Sequence, residues 1–450
     1  MSKVYRSLPP ELNRRTMLGG TGALVGLAAL SPQSVLAQFT GRQTDGQIAP
    51  RPVAIPEFFG DDQKFGADVA DIVAANLERT GLFKPLDRGA FIDRIGDLNQ
   101  VPRYRDWKAI GAEALVVGRT SRTPDGRLTA DFRLYDTILD RAIDGKSIAA
   151  PAVNWRRLGH IVADRVYEKL TQEKGYFDTQ IVYVDETGPK DRRQKRLAIM
   201  DQDGANVRLL SQGRELVLTP RFSPTRQEIT FTRYELQAAT SRVFVMNLDN
   251  GQRELVADMQ GQIFGPRFTP DGQRIVMSIS EQGATNLIEM DLRSKQLRRL
   301  SQGNSIDTAP CYAPDGRQMV FESDRDGTQQ LYLMGAGGGV ARRLSNGEGR
   351  YSTPVWSPRG DSIAFTKQSG GRFLIGVMKV DGSGERILSD GFHNEGPTWA
   401  PNGRVLMFFR ESQGAQGGPK LFSVDLTGYN ERPVPTPAFG SDPAWSPLRT

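Results

Sequence analysis

Two histidines, one cysteine and a scatter of turn-borne carboxylates are the residues of this chain that could do chemistry. A hydrolase needs a nucleophile with a base beside it, and a metal-dependent lyase needs clustered imidazole or carboxylate ligands. His160 falls on an amphipathic stretch and reads as a solvated helix residue, while His393 reads as a loop residue, so two such distant histidines make no cluster. No Gly-x-Ser-x-Gly elbow occurs. Cys311 adjoins an aromatic residue in a strand-like string and reads as a buried structural thiol. Asp271, Asp315 and Asp361 occupy or adjoin Pro-Asp-Gly type turns, where bonding to the local backbone explains them. Asp201-Asp203-Gly204 and Asp381-Gly382 look like fragments of a calcium loop but lack its downstream Glu. The expectation is a protein with no catalytic residue, no metal and no cofactor.

The elements carrying these residues are set by self-similarity. Six related strings occur: TPRFSPTRQEITFT from Thr219, GPRFTPDGQRIVMS from Gly265, APCYAPDGRQMVFES from Ala309, TPVWSPRGDSIAFT from Thr353, GPTWAPNGRVLMFF from Gly396 and DPAWSP from Asp442. Their prolines, Pro220, Pro266, Pro310, Pro354, Pro397 and Pro443, are spaced by 46, 44, 44, 43 and 46 residues. Each unit runs aromatic strand, tight turn, apolar strand, second apolar strand, then an Arg-rich edge such as Arg298-Arg299 or Arg342-Arg343. In the turn Pro presets φ, Asp bonds its own backbone and Gly accepts a positive φ. A period near 44 with four short strands predicts a propeller. The sixth string ends after its first strand, and Ile181–Asp185, Arg196–Asp201 and Val207–Ser211 supply later strands with no first strand before them. Both chain ends therefore complete one blade, giving six, and leave no open sheet edge.

Ahead of the repeats the period changes. Val53–Phe59 reads as a strand, and Asp61 or Asp62 caps a helix with Phe65, Val69, Ile72, Val73 and Leu77 on one face, ended by Gly81. A short helix around Trp107 and Ile110, an apolar run from Ala114 to Val117, an exposed-edge strand from Leu128 to Tyr135 and a helix through Leu158, Ile161, Val162, Val166 and Leu170 follow. The fold class expected is mainly β: a six-bladed β-propeller over 178–450 with a smaller N-terminal α/β domain over 51–175.

The first residues read as an export signal. Asn13-Arg14-Arg15-Thr16-Met17-Leu18 precedes an uncharged stretch from Gly19 to Leu30, then Val35-Leu36-Ala37. Residues 1–37 are therefore expected to be a twin-arginine-like signal cut between Ala37 and Gln38, with a periplasmic mature chain that lacks a membrane span. Residues 38–50 have few apolar groups and no period, and are expected to be a mobile arm. The net charge of +6 falls by half without the leader, too mild and too dispersed for nucleic acid.

The repeats, placed after an α/β domain that opens with Arg51-Pro52-Val53-Ala54-Ile55-Pro56 and before a terminal PAWSP, resemble the TolB family of the bacterial Tol-Pal envelope system. The resemblance implies a monomeric scaffold for outer-membrane integrity and for invagination at cell division. It also implies two partners, a Pal-like peptidoglycan-associated lipoprotein on one propeller face and the C-terminal domain of TolA on the N-terminal arm. In that family the lipoprotein-binding positions lie just ahead of the motif proline, which here designates Gln262, Gly265 and Thr308; the arm positions are Gln38, Phe39, Thr40 and Arg42. The competing readings are a propeller lyase, which requires clustered His or acidic residues at the channel mouth, and a glycan-binding propeller, which requires aromatic residues on exposed loops. The repeated aromatics Phe222, Phe268, Tyr312, Trp356, Trp399 and Trp445 instead fall within a strand, where blade packing accounts for them.

Overall fold

In a computed structural model the described residues are 49–449 without 236, 237, 239, 260, 415 and 416. The expected signal, its cleavage site at Ala37 and Gln38, and the arm positions Phe39, Thr40 and Arg42 lie outside them.

The N-terminal sheet takes its order from strand alternation. Strand β1 (Arg51–Ala54) pairs in parallel with β3 (Phe83–Pro85) on one side and β4 (Ala114–Arg122) on the other. Short β2 (Phe59–Gly60) also pairs with β4, and β5 (Leu128–Asp136) and β6 (Arg141–Ala150) continue the sheet antiparallel. Successive side chains point to opposite faces. Val53, Ala114 and Val116 thus meet helices α1 (Gln63–Arg79) and α3 (Arg156–Thr171), whereas Ala54, Leu115 and Val117 meet Trp107 of α2 (Tyr104–Ala109) on the other face. Asp62 caps α1, its Oδ1 accepting from Phe65 N at 3.0 Å, and Gly81 follows the helix at φ +72°, both as the sequence predicts.

Two expectations need correction. The run 53–59 is two strands, because Pro56 has no N–H for a ladder and Phe58 turns inward against Gly118, where an added Cβ would fall 2.3 Å from the ring. Leu128–Tyr135 is not an edge: β5 lies between β4 and β6 and is mostly buried, and the exposed edge is β6.

The propeller has six four-stranded blades among the described residues. The inner strands of blades 1 to 5 are Leu216–Phe222, Gln262–Phe268, Thr308–Tyr312, Arg350–Trp356 and Asn394–Trp399. Blade 6 takes its inner strand, Phe439–Trp445, from the end of the chain and its others, Gln180–Thr187, Gln194–Asp201 and Arg208–Leu209, from before blade 1. That closure is the arrangement expected from the sequence. The motif aromatics fill the spaces between blades, with Trp399 only 4% exposed. The α/β domain shares a continuous core with blades 5 and 6, in which Tyr167, Tyr176, Phe177 and Trp445 stack edge to edge around the connection between the domains.

Candidate functional site at the propeller mouth

Each inner strand breaks register with its neighbour immediately before the motif proline. The residue at each break has a positive φ: Thr219 49°, Gly265 54°, Ala309 51°, Thr353 46°, Gly396 66° and Asp442 49°. A bulge of this kind adds a residue to one strand and bends it. Repeated six times, it gives the residues ahead of the prolines a common geometry around one end of the channel.

Gln262 and Thr308 open the inner strands of blades 2 and 3, and Gly265 is the bulge residue of blade 2. The structure therefore brings the three designated positions to neighbouring strands. Thr308 does more than present a surface, because its Oγ1 donates to Glu322 Oε1. Glu322 also accepts from Gln329 Nε2 at 2.9 Å and from Thr353 N on blade 4 at 2.8 Å. Burial pushes its carboxyl upward and these donors pull it back only in part.

Sequence reasoning missed the apolar part of this rim. Phe264 and Ile306, either side of the designated residues, are 38% and 49% exposed although strand neighbours such as Ile263 are fully buried. They stand two and four positions before a motif proline, and only that position marks them, since nothing in the hydrophobic pattern does. Opposite them the same positions carry polar groups: Ser352, Glu395 and Ser441 two before the proline, and His393 four before it. His393 is a loop residue as expected, its Nε2 lying 2.9 Å from Glu395 Oε2 and its ring stacked on Phe373 at 4.5 Å.

His160 is not solvated. It is fully buried, because α3 is covered by the sheet on one side and by blade 6 on the other. With Asp201 and Asp203 it brings three potential ligand atoms within 4.8 Å of one another. The charge there is already balanced: Arg156 Nη2 lies 2.5 Å from Asp203 and its Nε 3.6 Å from Asp201, and Arg449 approaches Asp201 at 3.6 Å. Guanidinium groups occupy the positions a cation would take, so the cluster serves as an ionic latch between domains.

The turn carboxylates behave as local bonding predicts. Asp271 Oδ1 accepts from Thr269 Oγ1 and Gln273 N, Asp315 Oδ1 from Arg317 N, and Asp381 Oδ1 from Ser383 N. Cys311 is buried, its Sγ accepting from Trp356 N of the next blade at 3.4 Å.

Residues 167–449 match the family model of the TolB beta propeller domain, and residues 44–143 that of the TolB amino-terminal domain. The chain belongs to the TolB family. TolB from Acinetobacter baumannii is similar over 89% of this chain and 97% of its own, at 26% identity and a TM-score of 0.78. A provisionally assigned TolB from Agrobacterium tumefaciens covers 60% of this chain at 19% identity and a TM-score of 0.46. An oligogalacturonate lyase from Vibrio parahaemolyticus covers 56% of this chain and 73% of its own, at 11% identity and a TM-score of 0.37, too remote to carry lyase chemistry over. No helix of the described residues is long and apolar enough to cross a membrane.

Proposed function

We propose that this chain is a non-catalytic periplasmic docking scaffold of the Tol-Pal system. In this reading a Pal-like peptidoglycan-associated lipoprotein docks on the channel mouth at Gln262, Gly265 and Thr308. The C-terminal domain of TolA is held by the segment 38–50, through Gln38, Phe39, Thr40 and Arg42. The two contacts together maintain outer-membrane integrity and outer-membrane invagination at division. The observation that supports the lipoprotein contact is the exposure of Phe264 and Ile306 beside the designated positions. A large apolar group left in water on a rim of polar groups favours a partner that covers it.

The test is calorimetric titration of the chain with the soluble domain of the organism's own Pal-like lipoprotein. Phe264→Glu and Ile306→Glu probe the rim, because neither exposed side chain holds the blade together, whereas changing Thr308 would also release the buried Glu322. A tenfold or greater loss of affinity in each supports the reading; wild-type affinity in both overturns it. A chain starting at Arg51 is expected to keep the lipoprotein and lose TolA, and equal capture of TolA by both forms would remove the arm from the scheme.

A further inference from the structure

The six blades repeat one another, and the junction between blades 2 and 3 departs from the repeat. It holds a cavity of about 400 Å³. Glu289, opposite Val276 on the third strand of blade 2, stands where the other blades carry Val245, Leu333, Val377, Ser423 and Ile199. The motif aromatic beside it is Tyr312, whose hydroxyl donates to Glu289 Oε2 at 2.6 Å. Arg298 Nη2 and Arg274 Nη1 converge on the other oxygen, Oε1, at 2.7 and 3.3 Å. Glu289 is buried. A buried ion pair adds little or no stability over apolar side chains of similar volume, so packing alone does not account for a carboxylate at this one blade.

A second departure lies in a turn that borders the cavity. The turns from third to fourth strand begin with Asn247, Asp291, Lys379, Asp425 and Asp201 in the other blades, but with Gly335 in blade 3. There the turn reads Gly335-Ala336-Gly337-Gly338-Gly339. Gly338 and Gly339 have φ of +86° and +107°, which glycine adopts without a steric cost. Gly335 and Gly337 lie outside that region, so the backbone does not demand glycine at either. What the missing side chain leaves is room: a Cβ on Gly337 would stand 3.8 Å from Arg298 Nη1, and both residues line the cavity. Arg298 commits its Nη2 to Glu289 and to Ala336 O at 3.1 Å, while its Nη1 makes no hydrogen bond among the described residues and the side chain is 47% exposed.

The Pro-Asp-Gly turns of blades 2 and 3 bring Asp271 and Asp315 to the same cavity, each about half exposed. The lining is therefore dipolar, with two guanidinium groups on one carboxylate oxygen and two carboxylates at the turns. A ligand that matches it carries both signs. The cavity lies at the turn end of the inner strands, away from the bulge ring, on the face where Glu173 ties the α/β domain to Arg359 and Arg404 of blades 4 and 5. We propose that this cavity binds a small zwitterion, an amino acid or short peptide, its carboxylate on Arg298 and its ammonium on Asp271 and Asp315. A guanidinium edge matches a carboxylate in shape and charge, and the volume suits a ligand of this size.

The experiment is calorimetric titration of the full chain with alanine and with dialanine, which separates the free amino acid from the peptide, followed by thermal unfolding with whichever binds. The expected result is saturable heat with at least one of them and a matching rise in Tm. The N-acetyl form and the C-terminal amide of that probe are each expected to bind at least tenfold more weakly, and binding that ignores either block overturns the proposal. Arg298→Gln removes the carboxylate's donor while Arg274 and Tyr312 stay on Glu289, and is expected to weaken binding at least tenfold. Gly337→Leu fills the cavity without removing a partner from any residue, so it remains informative if Arg298→Gln folds poorly; it is expected to abolish binding. Saturable binding of neither probe, or wild-type affinity in both variants, overturns the proposal.

Discussion

The side-chain amide of Asn76 donates from Nδ2 to Nδ1 of His160 across 2.8 Å, joining α1 to α3 beneath blade 6. Asn76 Oδ1 accepts from Gln202 Nε2 of the propeller at 2.8 Å, so its Nδ2 is the atom that faces the ring. The ring proton therefore sits on Nε2, and the imidazole is neutral. Burial, ahead of the surrounding charges, lowers the His160 pKa from 6.5 to about 4.

The sign follows from proton counting. Between pH 6.5 and 4 the unfolded chain binds a proton that the folded chain refuses, so this contribution is complete above pH 6.5 and is lost as pH falls towards 4. Its size is on the order of 3 kcal/mol. Asp164, one turn along α3 and raised to about 7 by burial, works in the opposite direction over part of the same range. The measurement is therefore a difference: urea unfolding of wild type and His160→Gln from pH 7 to 4. Wild type is expected to be the more stable at pH 7, with the gap closing by pH 4. A gap independent of pH would refute the buried neutral imidazole.

Asp178 is held by two arginines, one on α3 and one at the last described residue. Arg157 approaches it at 2.7 Å and Arg449 at 2.8 Å, and the carboxylate is almost fully buried. Removing it leaves Arg157 without its ion-pair partner and Arg449 with only Asp201 at 3.6 Å, a loss at the lower end of the about 3–5 kcal/mol typical of a broken buried pair. Asp178→Ala is expected to lower stability by that order in chemical unfolding, and Arg449→Ala by much less, because Arg157 alone still satisfies the carboxylate. Equal losses would mean that the two arginines act as one unit.

The propeller was legible because each blade repeats the same local chemistry. A tight turn, a motif proline and an aromatic recur at near-constant spacing, and Phe268, Tyr312, Trp356 and Trp399 are all buried in the blade cores. The rim was legible only through the family resemblance, which designated Gln262, Gly265 and Thr308. Exposure of Phe264 and Ile306 depends on the six bulges, and the bulges leave no mark in a hydrophobic pattern. His160 was misread because a helix pattern describes one buried face, whereas α3 is covered on two; the second cover, blade 6, comes from residues that the helix sequence does not contain.

Closure itself can be tested at the chain end. Phe439–Trp445 pairs antiparallel with Gln180–Thr187, Trp445 Nε1 donates to Thr179 Oγ1 at 2.8 Å, and Gln180 N donates to Ser446 Oγ at 2.9 Å. A chain ending at Ala438 loses all of these and leaves the strand Gln180–Thr187 without its inner neighbour. Unpaired strand edges recruit other chains. The shortened protein is expected to self-associate in size-exclusion chromatography and to be cut by protease at least tenfold faster than the intact chain. A monomer with unchanged protease resistance would show that five blades and the α/β domain hold the ring without its seam.

The bulge ring makes a final prediction about backbone strain. Ala309 and Gly265 occupy the same place in adjacent blades at φ 51° and 54°. A Cβ in this left-handed region carries a penalty of roughly 1–2 kcal/mol that glycine avoids. At Gly265 an added Cβ meets no atom within 4 Å, so Gly265→Ala tests the backbone term free of any clash. It is expected to destabilise by about 1 kcal/mol, the strain being partly offset by the reduced freedom of the unfolded chain. Ala309→Gly relieves the same strain while increasing that freedom, and is expected to fall within about 0.5 kcal/mol of wild type. Paired denaturant titrations decide the matter. If Ala309→Gly destabilised by more than 1 kcal/mol while Gly265→Ala did nothing, the positive φ would be carried by the neighbouring blades and not by the residue that adopts it.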